Sequence, residues 1–310
     1  MIEALPFSSA VAAGMIRGAT PVLLAAVGEC VTERAGVLNL GLEGIMLAGA
    51  LSAVVVSYST NSAILGIAAA MLVGVVIGLV YGIITIKFHA NQVAAGIALT
   101  ILLSGITAFF GAEFVGKTIS SLSAVKVPGL SDIPVAGAIL FNQDPLVYLC
   151  YAVVPAAYWL LNQTRFGLAV RAVGEDPRSA AASGVNVKLT RYLCTMLGSS
   201  LAALGGAYLS LVYAQGWTEN ITAGRGWIAV GLVMFAMWNP WKALIGAYLF
   251  GLAVSLQLRL QAAGSDVSPY LLGMLPYLIV ITAMAMSAVM IRRKPESCPT
   301  ALRIPYTEQA

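Results

Sequence analysis

Charge is what this sequence has least of: Asp, Glu, Lys and Arg make up 10% of its 310 residues, against 59% apolar. A water-soluble domain carries about 25% charged residues. A chain this poor in charge cannot keep its surface in water, and the solvent it is built for is lipid. Histidine occurs once, at His89, which excludes a His-x-x-x-His metal motif. The four cysteines, Cys30, Cys150, Cys194 and Cys298, are isolated, with no C-x-x-C pair. Three lie in or beside apolar runs and read as small hydrophobes, not as a disulfide or metal framework. No Gly-x-Ser-x-Gly elbow or dinucleotide fingerprint follows a plausible strand, so no motif argues for an enzyme. The opening MIEALPFSSA has an acid where a signal peptide has bases, and no cleaved leader is expected. The formal net charge is only +4, with the bases clustered rather than spread as a nucleic-acid footprint would be.

What is abundant is apolar runs of membrane-spanning length, about 20 residues each. Nine are legible: about 7–27, 36–57, 63–86, 93–112, 146–162, 192–214, 226–238, 242–262 and 268–291. The first contains Arg17 and Pro21, and the seventh is short enough to be a bent or partial span. The fold class expected is an all-α polytopic membrane protein of about nine to ten transmembrane helices, at least one of them broken. One transmembrane domain covers 1–291, and 292–310 form a tail. Arg165, Arg171, Arg178, Lys188 and Arg191 cluster between 165 and 191, Arg292, Arg293 and Lys294 open the tail, and Lys87 and His89 follow the third run. The positive-inside rule places all three groups in the cytoplasm. Loop 113–143 then faces outward, and nine spans put the N-terminus outside. In the third run Gly66, Ala70, Gly74, Gly78 and Gly82 recur every fourth residue, lining one helix face with small groups for close packing.

Gly111, Gly116, Lys117 and Thr118 fit the phosphate-loop formula G-x-x-x-x-G-K-[ST]. A working loop needs a strand before it and a helix after it, whereas here an apolar run precedes and a polar stretch follows. Nucleotide binding there is rejected. Asn39 and Glu43 are four residues apart, which puts them on one face of a helix. A carboxylate at mid-bilayer costs about 2.5–3.5 kcal/mol on insertion scales, so it faces protein or a water-filled path. Gly36, Gly41 and Gly44 make a break in that helix plausible, and broken helices line transporter sites. Asn91 and Gln92 start the fourth run, where they cap it or line the route. Gln257 and Arg259 are expected to reach for the interface, and Glu29, Glu33 and Arg34 read as a solvated boundary cluster. In the stretch 165–191, Asp176 then Pro177 is a helix start and Gly184 a left-handed stop. Ala180, Ala181 and Ala182 give the helix between them a small face. Such an element docks into a partner's cleft or simply lies on the membrane surface.

The stretch GLAVRAVGEDPRSAAASGV, from Gly167 to Val185, resembles the coupling loop of ABC importer permeases that handle nucleosides, simple sugars and branched-chain amino acids. ERAGVLNLGLEGIML (33–47) and GRGWIAVGLVMFAMWNP (224–240), with FGLA (250–253) and MLPY (274–277), are similar to the nucleoside and simple-sugar subset. Trp227 departs from the smaller aromatic expected there. The likeness covers nearly the whole chain. It implies a permease subunit in a bacterial inner membrane, paired with a second permease, homologous or identical. A separate cytoplasmic ATPase carrying Mg-ATP and an extracytoplasmic binding protein complete the machine, with no cofactor in this chain. It also implies that Gly174, Glu175, Asp176, Pro177, Arg178, Ala180, Ala181 and Gly184 form the ATPase-coupling element. Asn39, Glu43, Asn91 and Gln92 are the candidates for the substrate pathway. The solute expected is a nucleoside or related small polar molecule. A simple sugar is the nearest alternative, a stand-alone secondary transporter, with Glu43 as its one ionisable candidate, is the next, and a membrane enzyme is the last.

Overall fold

The computed structural model describes residues 7–131, 133, 136–264, 267–293, 298–304 and 306. Lys294, one of the bases that open the tail, lies outside them. The helices in chain order are α1 (Phe7–Arg34), α2 (Leu42–Thr60), α3 (Ala63–Gly82), α4 (Gln92–Gly111), α5 (Ala136–Leu140), α6 (Pro145–Gln163), α7 (Arg165–Glu175), α8 (Pro177–Ala182), α9 (Val187–Tyr208), α10 (Arg225–Phe235), α11 (Pro240–Ala262) and α12 (Pro269–Arg293). Two-residue strands β1 (Val125–Lys126) and β2 (Asn142–Gln143) pair antiparallel in the 115–144 loop. Wide i→i+5 turns extend α3 to Lys87 and α9 to Tyr213. Among the described residues seven helices are long and apolar enough to cross a bilayer, and two apolar helices, Arg225–Phe235 and Tyr270–Thr282, are shorter. The fold is all-α and multi-pass.

Its burial pattern is that of a lipid-solvated protein. Ile101, Phe109, Ile245 and Leu271 stand exposed, while Glu29, Glu33, Asn39, Gln92 and Arg191 are buried. Polar groups turn inward because lipid offers them no partners. The first run is one unbroken helix despite Arg17 and Pro21. Arg17 Nε donates to Gln143 Oε1 at 3.0 Å, a polar mate at the end of the bundle where α6 starts. Helix α1 is the central post, packed against α9 and α11. The small stripe on α3 is wholly buried, and a Cβ at Gly74 or Gly78 would strike Ser199 and its neighbours on α9, as expected of a packing face.

The bundle has a basic end and a far end. Arg34, the 88–91 loop, α7, α8, segment 298–304 and Tyr306 gather at the first, through contacts such as His89 Nε2 to Tyr306 O at 2.9 Å. Gln143, Asp144 and the 111–117 turn lie at the second, where Tyr208 OH donates to Asp144 Oδ2 at 3.3 Å. Burial pushes the Asp144 carboxyl above the usual carboxylate range.

Candidate functional site

Two interruptions meet inside the bundle. The second apolar run does not begin as helix at 36: α1 stops at Arg34, and 35–41 cross the interior as irregular backbone before α2 starts at Leu42. Gly36 adopts φ +83°, a conformation that favours glycine, and a Cβ there would press on the Arg191 guanidinium, 2.9 Å away at Nη2. Irregular backbone at this depth survives only if protein satisfies it. Arg191 Nε donates to Ala35 O at 3.1 Å. Leu38 N donates to Gln92 Oε1 at 2.8 Å and Asn39 N to Glu29 Oε1 at 2.7 Å. The Tyr81 hydroxyl lies 2.5 Å from Leu38 O, Thr100 Oγ1 donates to Leu40 O at 3.3 Å, and Gly41 N donates to Asn39 Oδ1 at 2.9 Å.

The second interruption is the half-length helix α10. Trp217 sits at the far end, paired with Val115, and the chain then descends to Thr222. Helix α10 has no side-chain cap from its own N-cap residue, Gly224. The cap comes from Glu43 instead: its carboxylate accepts Thr222 Oγ1 at 2.5 Å, Gly224 N at 2.8 Å and Gly226 N at 2.7 Å. Unpaired N–H groups and the positive dipole end of a helix favour an anion there. A Cβ on Gly226 would fall 2.5 Å from Glu43 Cα, so glycine alone permits the approach. Gly44, beside Glu43, packs on Thr100, eight residues into α4 and thus roughly 12 Å from its basic end at 1.5 Å per residue. Glu43 is therefore at mid-depth. From there α10 runs to the basic end, where Met237 and Trp238 turn left-handed and Trp238 Nε1 donates to Glu33 Oε2 at 2.5 Å.

Of the residues picked from sequence, Asn39, Gln92 and Glu43 come together around these interruptions. Asn39 and Glu43 do not share a helix face, because Asn39 lies in the break. Asn91 is exposed and caps α4, accepting Val93 N at 3.0 Å and Ala94 N at 3.1 Å. Glu29 and Glu33 are not solvated: both are buried, because the break and Trp238 fold over them. Sequence reasoning missed a cavity of about 320 Å³ lined by Tyr213, Arg225, Val254, Gln257, Pro276 and Tyr277. It opens beside the α10 N-terminus, with the Arg225 guanidinium 5.7 Å from the Tyr213 ring and Tyr277 OH donating to Ala223 O at 3.2 Å. Gln257, expected to reach for the interface, instead lines this cavity, and Arg225, just before the seventh run, was the signal left unread.

At the basic end the 165–186 loop is two helices. Asp176 accepts Arg178 N at 3.0 Å and Ser179 N at 3.3 Å, and takes the Ser179 hydroxyl at 2.5 Å. That hydroxyl and those N–H groups hold the Asp176 carboxyl below its ordinary range. Gly184 is left-handed at φ +84°. Gly174 and Ala180 turn inward, Pro177 and Ala181 are half-buried, and Glu175, Asp176, Arg178, Ala182 and Gly184 are exposed. The 111–118 stretch has no strand before it and no helix after it. A short 3-10 turn follows Gly111, and Lys117 pairs with Glu113 at 3.1 Å.

A multi-pass bundle whose interrupted helices meet at mid-depth, beside a largely apolar cavity that holds Arg225 and Gln257, has the architecture of a transport protein. Residues 11–289 match the family model described as branched-chain amino acid transport system / permease component, and the chain belongs to that family. It is 36% identical to a protein of Haloferax volcanii provisionally named glucose ABC transporter permease protein TsgC13, over 98% of this chain and 99% of the relative. It is 34% identical to the guanosine ABC transporter permease protein NupQ of Bacillus subtilis, over 86% and 88%. The nucleoside ABC transporter permease protein NupC of Lactococcus lactis is 31% identical, over 89% and 91%.

Proposed function

We propose that this chain is the pathway-forming subunit of an ATP-driven importer for a nucleoside or related small polar solute, seated in a bacterial inner membrane. The basic end faces the cytoplasm, as clustered Arg and Lys favour. A second permease, homologous or identical, pairs with it, an extracytoplasmic binding protein delivers the solute at the far end, and a cytoplasmic ATPase supplies hydrolysis. The observation that carries the reading is the half-helix α10, pinned at mid-depth by Glu43 and bordering the Tyr213–Gln257–Tyr277 cavity. Aromatic faces, an amide and a guanidinium suit a neutral ring-bearing solute with hydroxyl groups. Asn39 and Gln92 hold the broken segment, and Glu43 holds α10, so their part is to keep the walls of the route in place. Exposed Glu175, Asp176, Arg178, Ala182 and Gly184 meet the ATPase, with Pro177 and Ala181 at the edge of that contact. Gly174 and Ala180 seat the loop on the bundle.

The simple-sugar reading draws on the 36% identity to the relative named for glucose. Uptake of labelled guanosine and of labelled glucose by the reconstituted complex, measured separately with ATP, separates the two. ATP-dependent uptake of guanosine and not of glucose is expected. ATP-dependent uptake of glucose and not of guanosine reverses the assignment.

A further inference from the structure

The C-terminal segment crosses the basic end between the two regions an importer must connect. Ala301 N donates to Gly174 O at 2.8 Å, and Thr300 Oγ1 donates to Glu175 Oε2 at 2.8 Å, fixing the segment to the end of α7. Ala301 is buried, with its carbonyl against Gly36. Arg191 reaches both ways, donating from Nε to Ala35 O at 3.1 Å and from Nη1 to Ile304 O at 3.3 Å. Tyr306 packs on the Val173, Ala180 and Val187 cluster that seats α8. One short segment thus touches α7, α8, α9 and the break before α2.

We propose that segment 298–304, with Tyr306, is the strap that delivers motion of the 165–186 loop to the break at 35–41. This rests on the coupling reading above. The physical argument is one of connection. Helix α7 packs on this region itself, with Val170 beside Ala35 and Gly174 against Arg34; the six-residue α8 meets the bundle through a small apolar cluster, and the strap adds polar ties to these contacts. The strap ties the loop by two hydrogen bonds on one side, and abuts Gly36 and shares Arg191 with Ala35 on the other. Displacing α7 must then carry Ala301 and Arg191 with it, and they hold the first residues of the break. Thr300 and Ala301 are positioning residues, acting through Gly174, Glu175 and Arg191.

The test compares Thr300→Val, which removes the hydroxyl donor, with Ala301→Pro, which removes the N–H that meets Gly174. Three quantities are scored in the reconstituted complex: ATPase co-purification, ATP hydrolysis, and solute moved per ATP. Co-purification and hydrolysis should hold while solute per ATP falls several-fold. An unchanged ratio overturns the strap, and so does loss of co-purification, which would make the segment a docking surface instead. Should Ala301→Pro fail to fold, Thr300→Val carries the test through the same ratio, with Thr300→Ser, which keeps the hydroxyl, expected to restore it; a ratio unchanged in Thr300→Val overturns the strap. If the unmodified chain binds no ATPase, the coupling reading fails and the strap with it.

Discussion

The Glu43 carboxylate accepts the Gly226 N–H at 2.7 Å across 183 residues of sequence, joining the start of α2 to the start of α10. An amide in place of the acid keeps the shape but presents one acceptor oxygen and one donor group to three donors. A hydrogen bond to a charged group contributes about 1.5–3 kcal/mol. Glu43→Gln should therefore lower the melting temperature of the solubilised protein and reduce uptake. Wild-type values for both would show that this cap does not hold α10.

The other end of α10 is tied by Trp238 to Glu33. Trp238→Phe keeps a ring but leaves a buried carboxyl oxygen without its donor, at a cost of about 1–3 kcal/mol. Reduced thermal stability is expected, with faster amide exchange over α10. Adding Glu33→Gln should recover part of the loss, since the orphaned group is then neutral. A double variant worse than the sum of its parts would contradict this.

These two ties show how far the sequence could be read. Helix existence followed from apolar length, and the Asp176–Pro177 start and the Gly184 stop were legible because capping is local. The glycines at 36, 41 and 44 signalled a break, but not that all of 35–41 is irregular, because Val37, Leu38 and Leu40 are as apolar as any helical residue. What makes 35–41 irregular is the set of partners waiting for its backbone: Arg191, Gln92, Tyr81 and Glu29. Those lie far away in sequence. Glu29 and Glu33 misled for the same reason, since their covers, Asn39 and Trp238, arrive from other segments. The Tyr213–Gln257–Tyr277 cavity needed three separate helices to be placed.

At the basic end, the Asp176 carboxyl is held below its usual range, so the cap on α8 is complete above that range and fades only as acid protonates it. Amide protection factors at Arg178–Ala182, taken relative to intrinsic exchange, should be flat across neutral pH and fall in acid, and should be lower in Asp176→Ala wherever Asp176 is ionised. Ala182 is exposed on the same helix, and Arg there keeps good helix propensity. Ala182→Arg should fold and insert normally yet lose most ATPase co-purification. Normal co-purification with normal uptake would remove this face from the contact.

Lys117 matches a phosphate-loop position but is engaged with Glu113 and lies over the Tyr58 and Phe114 rings. An exposed pair of this kind contributes about 0–1 kcal/mol. Lys117→Ala should leave ATP-driven uptake and ATP affinity unchanged. Loss of uptake in a normally assembled complex would reinstate the motif.

The central claim is that this chain forms the route and a separate ATPase drives it. The direct measurement is labelled guanosine accumulation in proteoliposomes, with the chain alone and with its partner permease and ATPase, in the presence and absence of ATP and of proton or sodium gradients. Accumulation against the gradient should appear only in the complete assembly with ATP. Uphill accumulation by the chain alone, driven by protons or sodium, would contradict the claim and make this protein a secondary transporter.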